Sequence, residues 1–109
     1  CTACIAHLPI LKGLYARYRD KGVEFMGVLL ASSDSSIVRL RRIHDELQIP
    51  WSNILADSES RIKAYIHQFG LAGIPTYFIV DRKGYLVPMR GLNGDDELLL
   101  ALELERALR

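Results

Sequence analysis

The only two cysteines of the chain, Cys1 and Cys4, stand at its beginning and are separated by the dipeptide Thr2-Ala3. Cysteines at this spacing close a small-ring disulfide, and zinc sites use the same spacing. The residues after them are apolar at helical spacing, which predicts that Cys4 lies in the first turn of a helix. A helix N-terminus supplies partial positive charge and unpaired N–H groups, and both stabilise a thiolate. The pair is therefore predicted to be redox-active, with Cys1 as the nucleophile and Cys4 as the buried resolving thiol.

A metal site is one alternative interpretation of the same residues. His7 extends the pattern to Cys-x2-Cys-x2-His, so a copper- or zinc-binding module would use Cys1, Cys4 and His7. The chain has no second Cys-x2-Cys pair, and His44 and His67 stand alone on helix-like segments. We therefore expect no metal and no other cofactor beyond the Cys1–Cys4 disulfide itself.

The stretch Gly73-Ile74-Pro75-Thr76-Tyr77 is the second candidate functional element. Proline before a strand is by default a trans turn residue, since about 5% of X–Pro bonds are cis. Its place at the start of a predicted strand, which is able to face the cysteine helix, favours a role in the site. A cis bond before Pro75 would leave the Ile74 backbone available to pair with an extended substrate segment.

The elements that must position these residues follow from apolar periodicity and turn residues. Helices are predicted from Cys4 to Lys21-Gly22, with a kink at Pro9, and over about 37–47, 62–69 and 94–108. Strands are predicted over 23–31, which is apolar enough to be buried on both faces, and over 51–56, 76–80 and 85–90. The last two form a hairpin around a turn at Gly84, and Pro88 marks an edge or a bulge.

This order of elements defines the predicted fold class. Alternating strands and helices predict an α/β fold with helices on both faces of the sheet, and the closing hairpin adds an antiparallel edge. The 109 residues, 50% hydrophobic and 25% charged, match a single soluble domain. A net charge of +1 gives no reason to expect a nucleic-acid partner. No stretch has the roughly 18 apolar residues of a membrane span.

Taken together, these stretches resemble the thioredoxin superfamily, and most closely its TlpA/ResA-like branch of bacterial thiol–disulfide oxidoreductases. The matching residues are the two cysteines, Pro9, residues 20–28 and residues 70–84. The resemblance implies a thioredoxin-like fold with a central mixed sheet and a C-terminal hairpin and helix. It also implies that Cys1 and Cys4 are the redox pair, and that Pro75, flanked by Ile74 and Thr76, is a cis proline placed against them.

The chain departs from that family before its first cysteine. The family normally has a central strand and a Trp there, and both are missing. We therefore interpret residues 1–109 as a single thioredoxin-like domain truncated at its N-terminus. A membrane anchor or export signal would belong to the missing part. The chain by itself is predicted to be poorly stable, or to borrow a strand from a neighbour.

The resemblance also implies the reaction and its partners. The expected activity is dithiol–disulfide exchange with disulfide-containing proteins, as a reductant outside the cytoplasm that is recharged by an upstream thiol protein. Thr2-Ala3 lacks the family's frequent proline, which leaves the direction of exchange open. His7 stands where this branch commonly carries Glu. It is either a group that moves protons for the thiols near neutral pH or a surface or packing residue one turn from the site.

Two further alternatives remain open at this point. A peroxiredoxin-type thiol peroxidase shares the fold, but it requires one peroxidatic cysteine rather than a close pair. A binding domain with structural cysteines would keep the fold and have no redox activity, and its thiols would react slowly with alkylating reagents at pH 7.

Overall fold

The helix that begins beside the two cysteines, α1, spans Thr2–Tyr18 and includes Pro9 in its interior. A 3-10 turn, Arg19–Lys21, follows it and ends at Gly22. The predicted helix with Cys4 in its first turn and its end near Gly22 is therefore confirmed.

The computed structural model describes residues 1–87 and 97–109 of the chain. These residues belong to two compact units, one of residues 1–14 and 73–109 and the other of residues 15–72. The organisation of the chain as one truncated domain stays a prediction.

A parallel pair of strands lies in the second unit. Strand β1, Met26–Leu30, pairs with β2, Ser52–Ala56. In their register Met26 lies opposite Ser52, and Leu30 lies opposite Ala56. Helix α2, Asp34–Glu46, connects them, which is the crossover that a parallel pair requires. Helix α3, Glu59–Phe69, follows β2. The predicted helix–strand alternation is confirmed in this part of the chain.

Serines and a glycine set the ends of these helices. The Ser33 hydroxyl accepts a hydrogen bond from the N–H of Ser36 at the start of α2, and Ser58 does the same for Arg61 at the start of α3. Both are N-caps, which satisfy a backbone donor that has no partner within the helix. Helix α3 ends at Gly70, whose φ of 61° lies in the left-handed region that glycine adopts without steric cost.

The prediction that β1 is buried on both faces is wrong. Met26 is 68% exposed and Val28 is 45% exposed. A strand is enclosed on both faces only when it lies inside a covered sheet. The sheet of the described residues has just two strands, so its apolar side chains remain partly in water.

A cluster of three aromatic rings lies in the second unit, and one of the rings comes from the C-terminal end of α1. The rings of Tyr15, Phe25 and Trp51 lie with centroids 5.3–5.7 Å apart, in tilted and edge-on arrangements typical of aromatic clusters. Tyr18 is fully buried. These contacts give Trp51 a packing role.

The first unit contains the N-terminal part of α1, the segment 73–87 and helix α4, Glu97–Ala107. Its buried residues within the described ranges are His7, Leu14, Ile79, Leu100, Ala101 and Leu104. The predicted start of the last helix at Gly94 lies outside the described residues, as does Pro88.

The described residues include the turn of the predicted hairpin and the beginning of its return strand, whose residues 88–90 lie outside them. Val80 and Leu86 form an isolated antiparallel bridge, and the Val87 N–H donates to the Ile79 carbonyl. The turn is closed by Asp81, and Gly84 has the positive φ of 88° predicted for it. Residues 76–79 are extended without being a strand. An extended segment becomes a strand only when a neighbour takes its backbone hydrogen bonds, and here the described partners begin at the bridge.

Candidate active site

Cys1 and Cys4 are joined by a disulfide, with their Cα atoms 5.3 Å apart. Cys1 immediately precedes α1, and its carbonyl accepts the first helical hydrogen bond, from the Ile5 N–H. The N–H of Cys4, one of the helix donors without an intrahelical partner, donates to Sγ of Cys1 at 3.2 Å. The first turn holds no acidic residue that would oppose a negative charge at this sulfur. The local geometry is therefore suited to stabilising a thiolate at Cys1.

The two cysteine residues differ in their exposure to solvent. Cys1 is exposed and Cys4 is half-buried. The assignment of Cys1 as the nucleophile and Cys4 as the resolving thiol stays a prediction.

The segment with Pro75 passes beside the disulfide. The Sγ atom of Cys1 lies 4.0 Å from the Ile74 carbonyl oxygen, and the Ile74–Pro75 peptide bond is cis. The Thr76 hydroxyl donates to the Gly73 carbonyl and closes a tight loop around the proline. The structure thus brings together the residues that the sequence placed in two separate candidate elements. Ile74 is 49% exposed and so presents both side chain and backbone next to the reactive sulfur.

His7 is buried, with 6% of its surface exposed, so it is not a surface histidine. Its Nδ1 lies 2.7 Å from the Tyr77 hydroxyl, a hydrogen bond that joins α1 to the segment after Pro75. Sequence reasoning did not single out Tyr77. Two sequence features could have indicated it: Tyr77 lies three residues after Ile74, and its phenol is able to hydrogen-bond to a buried imidazole.

The described residues include no group of three or more His, Cys, Asp or Glu side chains placed to hold one metal ion. His44 and His67 lie on α2 and α3, in the other unit. The His44 Nδ1 bonds to the Leu40 carbonyl within its own helix. In the part of the chain that is described, no helix has both the length and the apolar character needed to cross a membrane.

A thioredoxin-like fold with a disulfide at the start of its first helix defines the class of the protein. Residues 1–86 match the family of thioredoxin-like proteins, and the chain belongs to that family. The expected resemblance is therefore confirmed. No solved structure gave a match.

Curated relatives come from two groups. The chain is 26% identical over 87 residues to the thiol-disulfide oxidoreductase ResA of Bacillus thuringiensis subsp. konkukian, covering 80% of this chain and 46% of the relative. It is 26% identical over 100 residues to mouse nucleoredoxin, covering 88% of this chain and 22% of the relative. The nucleoredoxin of Xenopus laevis is also 26% identical, over 91 residues. The chain spans about half the length of the ResA relatives and about a fifth of the nucleoredoxins.

Proposed function

We propose that the protein is a thiol–disulfide oxidoreductase that reduces disulfides of protein substrates through Cys1 and Cys4. The observation that carries the proposal is the Cys1–Cys4 disulfide at the N-terminus of α1, with its exposed sulfur facing a helix donor. The similarity to a protein named thiol-disulfide oxidoreductase supports the same reaction class.

The reaction begins with the reduced pair. The Cys1 thiolate attacks one sulfur of the substrate disulfide, forms a mixed disulfide and releases the other substrate sulfur as a thiolate. Cys4 then loses its proton and attacks the Cys1 sulfur, which forms the Cys1–Cys4 bond and releases the second substrate thiolate. Two electrons pass to the substrate, and the chain ends in the oxidised form that the structure shows.

The substrate is proposed to dock against the loop at Ile74. The Ile74 carbonyl lies beside the Cys1 sulfur, and Ile74 is half exposed. An extended peptide bound along this loop would therefore bring its disulfide within reach of Cys1. Thr76 holds that loop through Gly73. Pro75, Ile74 and Thr76 are therefore proposed as binding and positioning residues, while the two cysteines exchange electrons.

Recharging the pair requires an upstream thiol protein as electron donor, because each turnover leaves a disulfide. We propose an extracytoplasmic location on the basis of the resemblance to the TlpA/ResA-like branch. His7 is proposed to exchange protons with the thiols.

The test is the reduction potential of the Cys1–Cys4 pair, measured by equilibration with glutathione buffers and trapping of free thiols. A potential near that of thioredoxin, about −270 mV, is expected for a reductant. A potential near about −120 mV would reverse the direction, because such a pair donates its disulfide to substrates. If the Cys1–Cys4 disulfide did not form at any ratio of reduced to oxidised glutathione, the redox proposal would be overturned.

A further inference from the structure

Tyr77 bonds to a buried histidine, His7, which follows Cys4 by three residues on α1. The His7 Nδ1 and the Tyr77 hydroxyl are 2.7 Å apart, and their rings are nearly parallel at 15°. A buried imidazole keeps such a partner because an unsatisfied polar group inside a protein is costly. The hydrogen bond restricts both the rotation of the His7 ring and the distribution of its proton between the two nitrogens.

The spacing of His7 relates it to Cys4 rather than to Cys1. His7 follows Cys4 by three residues on α1, and side chains three apart on a helix are neighbours. Cys4 is half-buried and His7 is buried, so both lie toward the interior of the unit while Cys1 is exposed. The buried imidazole is therefore associated with the thiol that acts second.

The N-terminal part of α1 and the segment around Pro75 contact each other at two places. The Cys1 sulfur lies 4.0 Å from the Ile74 carbonyl, and six residues further along the chain the buried His7 bonds to Tyr77. The second contact involves a phenol and an imidazole, which are groups that hold and move protons. It has the composition of a base with its orienting partner.

We propose that Tyr77 is a positioning residue for the resolving step, which orients His7 so that this histidine takes the proton of Cys4. The inference rests on the proposed function. The hydrogen bond to Tyr77 fixes the orientation of the His7 ring. As Cys4–SH passes its proton to the His7 imidazole, the Cys4 sulfur attacks Cys1 in the mixed disulfide. The Cys1–Cys4 bond forms, the bond from Cys1 to the substrate breaks, and the substrate leaves as a thiolate that is later protonated.

The experiment separates the two cysteines in time. Reduced protein is mixed with dithiobis-nitrobenzoate, a disulfide whose aromatic thiolate absorbs visible light. Attack by Cys1 releases one thiolate per chain, and resolution by Cys4 releases the second. The first and second phases of absorbance therefore report nucleophilic attack and resolution separately.

The variants are Tyr77→Phe, which removes only the hydroxyl, His7→Gln and the double variant. Tyr85→Phe is the matched control, because Tyr85 is 69% exposed in the same unit. Tyr77→Phe is expected to slow the second phase on the order of tenfold and His7→Gln by about 100-fold, the lower range for loss of a general base. The first phase of Tyr77→Phe stays as in the unmodified protein, although the loss of a hydrogen bond to the buried imidazole lowers its thermal midpoint. Tyr85→Phe changes neither phase.

The double variant decides whether Tyr77 acts through His7. If it does, Tyr77→Phe causes no further slowing in the His7→Gln background. An unchanged second phase in Tyr77→Phe, equal slowing of both phases, or full additivity in the double variant would each overturn the inference while leaving the proposed function in place. A second phase absent from the unmodified protein would overturn the proposed function and this inference together.

Discussion

The backbone N–H of Cys4 donates to the sulfur of Cys1 over 3.2 Å. The donor belongs to the first turn of α1, where the helix has no backbone partner for it. When the disulfide is reduced, the same donor and the positive end of the helix favour a negative charge on the Cys1 sulfur. The relationship makes the two cysteines chemically unequal, and the following predictions depend on that difference.

Replacement of each cysteine by serine is expected to give opposite outcomes. Cys4→Ser retains the exposed nucleophile but cannot resolve, so it accumulates a mixed disulfide with glutathione or a disulfide peptide. Cys1→Ser leaves the half-buried thiol and forms little adduct in the same time. Intact mass spectrometry measures the adduct in both variants. Equal adduct formation by the two would contradict the assignment of roles.

Alkylation of the reduced protein is expected to modify Cys1 before Cys4. The Cys4 N–H and the helix N-terminus favour negative charge on the Cys1 sulfur, and Cys1 is exposed whereas Cys4 is half-buried. Iodoacetamide labelling followed by peptide mass spectrometry gives the rate at each site. The control is urea-unfolded protein, in which the two rates converge, and a slower Cys1 in the folded chain would count against the redox site.

Removal of the α3 N-cap should destabilise the second unit. Ser58→Ala deletes the hydroxyl that accepts the Arg61 N–H, at a cost of about 1 kcal/mol in the free energy of unfolding. Ser58→Asn keeps a capping oxygen and is expected to remain close to the unmodified protein. Urea unfolding followed by circular dichroism compares the three chains. If Ser58→Ala and Ser58→Asn have the same free energy of unfolding, the Ser58 cap does not contribute to stability.

Two glycine-to-alanine changes are expected to have opposite signs. Gly70 has a φ of 61°, so Gly70→Ala forces a side chain into the left-handed region and costs about 1 kcal/mol or more. Gly13 lies exposed within α1, with nothing within 4 Å of an added Cβ. Gly13→Ala should therefore stabilise the protein by roughly 0.5–1 kcal/mol. Thermal unfolding of both variants provides the comparison, and a shift of the same sign in both would refute the backbone argument.

Features that depend on neighbours along the chain were predictable. The apolar spacing around Leu8 and Leu11 predicts α1, and Gly70 marks the end of α3 because capping is a local interaction. The apolar stripe that begins at Ile62 placed the start of α3 three residues too late, since the helix begins at Glu59 after the Ser58 cap. The pairing of Cys1 with Cys4 is local as well, since both lie in or beside a single helical turn. The candidate site was accessible to sequence reasoning to this extent.

Features that depend on distant partners were not predictable in the same way. An apolar run such as 23–31 shows that burial would be favourable, but not whether other elements cover it, and Met26 remains mostly exposed. Residues 76–79 have strand composition, but within the described part of the chain the hairpin pairing is a single bridge between Val80 and Leu86.

The sequence by itself determined the approximate spans of the helices and a close cysteine pair beside a helix N-terminus, because these arise from contacts within a few residues. Only the tertiary structure decided that the Ile74 carbonyl lies beside Cys1 and that Tyr77 bonds to His7. The second contact joins residues 70 positions apart, and the closure of so long a loop depends on the packing of the whole unit rather than on any local pattern.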